Sequence, residues 1–189
     1  LLDADLVLIS PRSKSSISMS GFPKRRLIQT LALEDVEKTA PVNLTYLLWR
    51  NPENLKTRSI LTLGFNPSDS LLLDDEFSRK ADKLKNPGRV LFDKLSRPEF
   101  GPIEDWFLSE KKVETEVAGI RVLVEGLVEL GPSFGADGNL ITSRETYLRL
   151  FPANPKGSIE IGLVKLRSGS NPILVSEILN KSLPNDVRV

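Results

Sequence analysis

Three groups of residues in this sequence have side chains that could do chemistry. Carboxylates are densest at Asp74-Asp75-Glu76, the tract Asp137-Gly138-Asn139 is similar to part of a calcium loop, and Asp93 and Glu99 flank Ser96. A metal site needs further oxygen ligands that converge from elsewhere, and the alternating acids of an EF-hand are absent here. We therefore interpret the first group as acids that favour a helix N-terminus and the second as a turn.

Nucleophilic chemistry is limited by the residues that the chain lacks. It contains no histidine and no cysteine, which excludes the Ser-His-Asp triad, Cys-His nucleophiles, disulfides and nearly every common zinc site. The glycines between 131 and 138 form neither a dinucleotide fingerprint nor a Walker loop. The sequence therefore predicts no catalytic, cofactor-binding or metal-binding residue. A hydrolase that uses carboxylates alone is the weakest alternative.

The composition is that of an ordinary globular domain. The 189 residues suit one domain or two small lobes, and a hydrophobic share of 40% is enough for a core. The formal net charge is +1 and the one short basic run is Lys24-Arg25-Arg26, which argues against nucleic acid as a partner. No apolar stretch approaches the roughly 18 residues of a membrane helix. Both ends lie in strand-like segments, so we interpret the chain as cut from a longer protein.

The first third of the chain predicts a strand–helix–strand unit. A short apolar run at 6–9 predicts a buried strand, and Pro23 can open a helix as its first residue. The segment 36–49 reads as extended, with a break near Pro41.

The last third repeats this pattern. It predicts a strand at 159–166, a helix at 173–183 and the start of another strand at 187–189. Two such units at opposite ends predict an α+β fold whose sheet is a ferredoxin-like split βαβ, formed by residues 1–66 and 153–189.

The middle of the chain, residues 67–152, predicts a second, β-rich lobe inserted between these halves. The segments 112–117 and 120–130 surround Ala118-Gly119 and give the best hairpin signal in the sequence. Thr142 or Ser143 is expected to cap the helix that follows.

Four aromatic residues of the middle lobe are candidate partner contacts. They lie in or beside irregular segments, where large apolar side chains can form a partner-binding or lipid-contacting patch, and they are Phe100, Trp106, Phe107 and Phe134. The alternative, that they fill the small core of the lobe, stays open.

Six segments, taken in order, resemble the periplasmic domain of DevC-type permeases, which are MacB-like ABC exporters of cyanobacteria. The similarity covers essentially the whole chain and is strongest around Ser96 and Asn139. The segments are 2–11, 49–53, 58–67, 91–102, 134–143 and 183–189. None of them is a catalytic motif.

This resemblance implies two lobes, Porter-like at 1–66 and 153–189 and Sabre-like at 67–152. It also implies the periplasmic domain of an inner-membrane permease in a tripartite export machine, with glycolipid as the cargo associated with DevC. The implied partners are a separate cytoplasmic ATPase subunit, a periplasmic adaptor (membrane fusion protein) of the DevB or MacA kind, an indirectly linked TolC-like channel and a second permease copy. The domain would transmit ATP-driven motion to the adaptor and would itself be no enzyme and bind no cofactor.

A small-molecule-binding sensor with a ferredoxin-like core is the alternative function. A sensor predicts a closed pocket with a few convergent polar groups. An exporter domain predicts instead that the two chain ends lie close together.

Overall fold

The computed structural model describes residues 3–14, 19–69, 75–131 and 136–189, apart from the side chains of Asp75 and Glu76. The acidic group at 74–76 therefore lies outside the described side chains. The described chain forms two compact units. Unit 1 comprises Leu1–Leu44, Asp69–Asp74 and Asn154–Val189, and unit 2 comprises Thr45–Ser68 and Asp75–Ala153.

The fold is a mixed α+β fold with more strand than helix, which confirms the predicted class. Two short 3-10 turns lie at Lys83–Lys85 and Pro98–Phe100. The strands and helices in chain order are β1 (Leu6–Ile9), β2 (Phe22–Pro23), α1 (Arg25–Thr30), β3 (Val36–Arg50), β4 (Thr57–Phe65), α2 (Asp75–Asp82), β5 (Arg89–Asp93), α3 (Ile103–Leu108), β6 (Glu114–Val117), β7 (Ile120–Val128), β8 (Asn139–Ser143), α4 (Arg144–Leu150), β9 (Ser158–Ile159), β10 (Ile161–Leu166) and α5 (Pro172–Ser182).

Unit 1 consists of an antiparallel sheet that is packed against α1 and α5. The strand order is β1-β10-β3, and β2 pairs separately with β9. The chain end adds to the outer edge of β1, where Ile9 and Arg188 exchange two backbone hydrogen bonds of 2.9 Å. Leu27 of α1 and Val175 and Leu179 of α5 are buried in one core with residues of β1 and β10.

Unit 2 is a ring of strand pairings. The order β3-β4-β8-β5-β7-β6 returns to β3 through a pairing of Trp49 with Val117. The ring mixes parallel pairs (β4 with β8, β5 with β7) and antiparallel pairs (β5 with β8, β6 with β7). Its interior is filled by large apolar side chains, among them Trp49, Ile60 and Phe92.

Strand β3 differs from its predicted form. It continues unbroken through Pro41, which pairs opposite Gly162 of β10. On the other side of β10, Gly162 pairs with Leu8 of β1. The backbone N–H and C=O of the next residue, Ile9, bond Arg188 and so point away from β10. Because these directions alternate along a strand, the N–H and C=O of Gly162 point toward β1. Pro41 therefore occupies a position at which the missing N–H removes no hydrogen bond to β10.

The first boundary between the two units also differs from the predicted one. Residues 45–66, which we expected in the lobe formed by the chain ends, pack with the middle of the chain. The reason is that β4 pairs in parallel with β8 and that Trp49 and Ile60 fill the interior of unit 2. The second boundary lies between Ala153 and Asn154, one residue after the predicted one.

Two local predictions are confirmed in unit 2. The hairpin of β6 and β7 turns at Ala118 and Gly119, whose φ angles of 51° and 77° are both positive, as a two-residue type I′ turn requires. Ser143 is the N-cap of α4, and its hydroxyl accepts a 3.2 Å hydrogen bond from the backbone N–H of Thr146.

Candidate functional site

Phe100 is a core residue of unit 2. Its side chain is fully buried, and its ring meets the ring of Phe92 edge-on at 6.4 Å. The indole Nε1 of Trp49 donates a 2.9 Å hydrogen bond to the carbonyl oxygen of Phe100. Of the two interpretations of Phe100, core filling is therefore the correct one, and this residue is not part of an exposed partner-binding patch. Gly101, with a φ of 109°, makes the sharp turn after the 3-10 segment that leaves this aromatic ring inside.

Trp106 and Phe107 lie half-buried on α3, where both pack against the core of unit 2. Lys111 places its ammonium 3.2 Å from the centroid of the Trp106 ring, a cation–π contact that covers part of that ring. The next residue, Leu108, is 70% exposed. We refer to Trp106, Phe107 and Leu108 as the α3 patch. Phe134, the fourth aromatic candidate, lies outside the described residues.

The loops around the predicted aromatic residues are held by the buried carboxylate of Asp93. Its Oδ1 accepts from the backbone N–H groups of Leu95 (3.1 Å) and Leu130 (3.0 Å). Its Oδ2 accepts from the backbone N–H of Gly131 (3.0 Å) and from Nδ2 of Asn139 (2.8 Å). Four donors match the four lone-pair directions of a carboxylate, so Asp93 is occupied as a structural acceptor. These hydrogen bonds connect β5 to the segments at 130–131 and 139.

A second carboxylate, Asp137, joins two arginines at the surface of unit 2. Arg58 donates to it at 3.0 Å and Arg97 at 2.8 Å. The hydrogen bond from Arg58, with the charge of Arg97 in addition, holds the pKa of Asp137 below its ordinary value. Asp137 therefore joins β4 to the loop that carries Arg97. Both side-chain partners of Asp137 are arginines, so its carboxylate forms ion pairs here.

A cavity of about 340 Å³ lies beside α3. Phe92 and Ile103 contribute apolar walls, while Lys94 and Arg97 contribute positive charge. Both cations are already paired, Lys94 with Glu129 at 2.6 Å and Arg97 with Asp137. These two positions therefore offer no unpaired charge that could select a ligand. Elsewhere in the described part of the chain, no group of three or more potential metal-ligating side chains occurs.

The two helices of unit 1 run antiparallel beside each other. Arg26, near the start of α1, forms a two-pronged ion pair with Asp186, which follows α5. Its Nε donates to Oδ1 at 2.9 Å and its Nη2 donates to Oδ2 at 2.9 Å. Arg167, which precedes α5, donates from Nε to the carbonyl oxygen of Glu34, which follows α1, at 2.7 Å. The start of each helix therefore lies at the end of the other.

These helices also expose an apolar surface that the sequence analysis did not single out. Its members are exposed aliphatic side chains of α1, of the residue that caps the end of α1, and of α5, namely Ile28, Leu31, Ile173, Leu174 and Ile178. We call this surface the helical face. The signal was present in the sequence, because α5 carries apolar residues on two sides, and a helix that is apolar all round is normally covered on both.

No model of a known protein family matches the sequence, and no curated protein is matched either. Among the described residues, none of the helices is long and apolar enough to cross a membrane.

Solved structures do match the fold over almost the whole chain. The extracellular domain of the noncanonic ABC-type transporter YknZ from Gram-positive bacteria superimposes with a TM-score of 0.59 at 12% identity, covering 97% of this chain and 98% of that one. The periplasmic region of MacB from Actinobacillus actinomycetemcomitans gives a TM-score of 0.60 at 11% identity, covering 96% of this chain and 85% of that one. The chain therefore has the fold of the extracytoplasmic domains of these two ABC-type transporters.

Proposed function

We propose that this chain is the extracytoplasmic domain of a MacB-like ABC-exporter permease, and that it transmits motion to a periplasmic adaptor. The observation that carries the proposal is the match to YknZ and MacB, which extends over at least 96% of this chain in both cases. The closer assignment, to the DevC type with glycolipid as cargo, rests on the sequence resemblance alone.

The topology of unit 1 supports a Porter-like assignment. With the chain end counted as a strand, the order is 187–189, β1, β10 and β3, and every neighbouring pair is antiparallel. The helices α1 and α5 form the two crossovers. This is the order of a ferredoxin-like split βαβ sheet. Unit 2, with its ring of six strands, is then the Sabre-like lobe.

The positions of the chain ends support insertion between two membrane helices. The segment at 187–189 runs antiparallel to β1, so beyond Arg188 it heads back toward the beginning of that strand. Asp3 and Asp5 lie at the same end of the sheet, where both bind Lys165, at 2.8 and 3.5 Å. A domain between two membrane helices needs both connections at one end.

The loops that Asp93 holds in place support a mechanical role. A domain that transmits motion needs rigid loops at the surface that meets its partner. In unit 2 the buried carboxylate fixes Leu95, Leu130 and Gly131 through their backbone N–H groups. ATP hydrolysis would take place on a separate cytoplasmic subunit, and a TolC-like channel would follow the adaptor.

The test is adaptor binding and export by the intact permease. Leu108→Asp places a charge in the α3 patch without touching the core, and Leu55→Asp changes an exposed leucine elsewhere in unit 2 as the matched control. We expect Leu108→Asp to weaken adaptor binding about tenfold or more, the loss that follows when a buried interface contact is replaced by a charge. Equal binding by both variants would exclude the α3 patch. Absence of any adaptor interaction, together with thermal stabilisation by one small molecule, would favour the sensor function instead.

A further inference from the structure

The two ends of unit 1 differ in how their positive charges are paired. At the end where the chain begins, Lys165 binds both Asp3 and Asp5. Beside it, Nζ of Lys38 lies 3.4 Å from Oε1 of Glu37. At the opposite end, five basic residues form no salt bridge within the described part of the chain. We call this group the basic end, and its members are Arg12, Lys24, Arg25, Lys156 and Lys181.

Backbone contacts bring the first four members of the basic end together. The end of β1 pairs with the start of β10, so the loop after β1 and the segment before β10 lie at the same end of the sheet. The first of these carries Arg12 and the second carries Lys156. The backbone N–H of Lys24 donates a 2.7 Å hydrogen bond to the carbonyl oxygen of Gly157, which places the start of α1 beside Lys156.

The end of α5 adds the fifth member. The ion pair of Arg26 with Asp186 holds the end of α5 beside the start of α1, and Lys181 lies in the last turn of α5. Two acidic residues also lie at this end, and both are engaged. Asp186 binds Arg26, and Glu160 is buried, where its carboxylate accepts two hydrogen bonds. This end of unit 1 therefore carries an excess of positive charge.

Two aliphatic side chains of the helical face lie next to these charges. Ile28, which is 54% exposed, follows Arg25 by three positions and Lys24 by four, so it neighbours both on the surface of α1. Ile178, which is 46% exposed, precedes Lys181 by three positions on α5. Exposed aliphatic groups beside basic ones match a protein surface that is acidic and partly apolar. A charged polysaccharide would match the basic residues alone.

We propose that the basic end, with Ile28 and Ile178, binds an acidic and partly apolar surface of the adaptor. Like charges that cluster without a bound counter-ion create a positive potential, which attracts and orients a partner of opposite charge. The inference rests on the proposed function for the identity of the partner, and it adds the surface of unit 1 and the charge that recognise it. A membrane is the poorer match, because the chain ends leave from the opposite end of unit 1.

Charge reversal tests the proposal by adaptor binding to the intact permease. Arg25→Glu and Lys156→Glu act at the basic end, and Lys38→Glu makes the same change in net charge at the other end of unit 1. Glutamate in the first turn of a helix is favourable, so Arg25→Glu should fold normally. At about 0.1 M salt, where charges act over about 10 Å, each reversal at the basic end should slow association about fivefold or more.

The salt dependence and the control make this result specific. At about 1 M salt, where the screening length is about 3 Å, the difference between Arg25→Glu and the natural permease should fall below about twofold. Lys38→Glu should change the association rate by less than about twofold at both salt concentrations. Equal slowing by Lys38→Glu and by Lys156→Glu would mean that net charge alone acts, and would overturn the proposal.

Zero-length cross-linking tests the contact itself. A carbodiimide joins the amine of a lysine to a carboxyl group that touches it, so that an amide bond forms and the reagent takes up the water that is lost. Mass spectrometry of the adaptor complex should find Lys24, Lys156 or Lys181 joined to an aspartate or glutamate of the adaptor. Cross-links from Lys38 that are as frequent as those from the basic end would contradict the proposal.

Three outcomes separate this inference from the proposed function. Adaptor binding that neither Arg25→Glu nor Lys156→Glu slows would overturn the inference alone. If Arg25→Glu abolishes binding of dextran sulfate and leaves adaptor binding unchanged, the basic end recognises a polyanionic polysaccharide, and the inference is likewise wrong. Absence of any adaptor binding by the natural permease would overturn the proposed function together with the inference.

Discussion

The loops around Asp93 in unit 2 and the helical face of unit 1 differ in which side chains they bury and which they expose. In unit 2 a charged residue, Asp93, is fully buried and accepts four hydrogen bonds. In unit 1 the five aliphatic residues of the helical face lie at the surface, where packing within the unit does not cover them. Burial of a carboxylate is favourable only if it is fully hydrogen-bonded, whereas exposure of aliphatic residues persists at little cost to folding. The first arrangement therefore indicates stability and the second indicates interaction.

This contrast suggests where each kind of substitution should act. Changes within the loops of unit 2 should alter the free energy of unfolding. Changes in the helical face should alter association and leave folding intact. Both tryptophans, Trp49 and Trp106, belong to unit 2, so tryptophan fluorescence follows the unfolding of that unit.

The largest effect is expected from Phe100→Ala. Removing a fully buried ring that touches Phe92 and lies against Gly138 leaves a cavity, which costs about 3–5 kcal/mol of unfolding free energy. Urea unfolding followed by tryptophan fluorescence measures it. Phe107→Ala, at a half-buried position, is the comparison and should lower the unfolding free energy by less. Trp106→Ala is less suitable, because it removes one of the two tryptophans that report unfolding. A loss below about 1 kcal/mol for Phe100→Ala would mean that Phe100 is not a core residue.

A slightly smaller loss is expected from Asp93→Ala. The substitution leaves the N–H groups of Leu130 and Gly131 and the amide of Asn139 without their acceptor, at about 2–4 kcal/mol in total. Asp105→Ala, at an exposed position on α3, is the control and should change the unfolding free energy by less than about 0.5 kcal/mol. Similar values for the two variants would show that burial of the Asp93 carboxylate brings no net stability.

Local sequence signals predicted the local parts of this fold. The hairpin at Ala118-Gly119 and the cap at Ser143 depend on neighbouring residues alone, and both are confirmed. The unbroken strand at Pro41 could not be predicted, because it depends on the pairing of Gly162, which is more than 100 residues away along the chain. The same applies to the boundary of unit 2, which is set by the pairing of β4 with β8.

The candidate site is harder to predict, because an irregular backbone segment does not show whether its side chains face solvent or the core. Phe100 stands three residues after Arg97 in a segment with prolines and a glycine, yet its ring is buried. Asp93 appeared as a possible acid beside Ser96, and only the fold shows that four donors from three segments converge on it. For α5, by contrast, the two apolar sides could be read from the sequence.

A smaller, pH-dependent effect is expected at Asp137. The hydrogen bond from Arg58 lowers the pKa of this carboxyl in the folded chain, so ionised Asp137 stabilises unit 2 at pH values above its ordinary pKa of 3.8. That stabilisation is lost as the pH falls from 3.8 through the lower folded pKa. The difference in unfolding free energy between the natural chain and Asp137→Asn should therefore be largest near about pH 7 and shrink below about pH 4.

Urea unfolding at a series of pH values, again with fluorescence, measures this difference. Asp105→Asn is the control, since no salt bridge of Asp105 occurs among the described residues. A pH dependence that both variants share would not report on the pair of Asp137 with Arg58. A difference for Asp137→Asn that grows on acidification would mean that its pKa is raised in the folded chain and that the pair with Arg58 does not form.

The smallest effect on folding is expected in the helical face, and it separates the two kinds of region most sharply. Ile178→Ala should change the unfolding free energy of the monomer by less than about 0.5 kcal/mol, because its side chain loses little contact. Leu179→Ala, the adjacent position, removes a 3% exposed side chain and should cost about 2–4 kcal/mol. Unit 1 contains neither Trp nor Tyr, so circular dichroism or hydrogen exchange of α5 replaces fluorescence. If Ile178→Ala were as costly as Leu179→Ala in the dilute monomer, the exposed aliphatic residues would belong to the core, and the contrast between the loops around Asp93 and the helical face would fail.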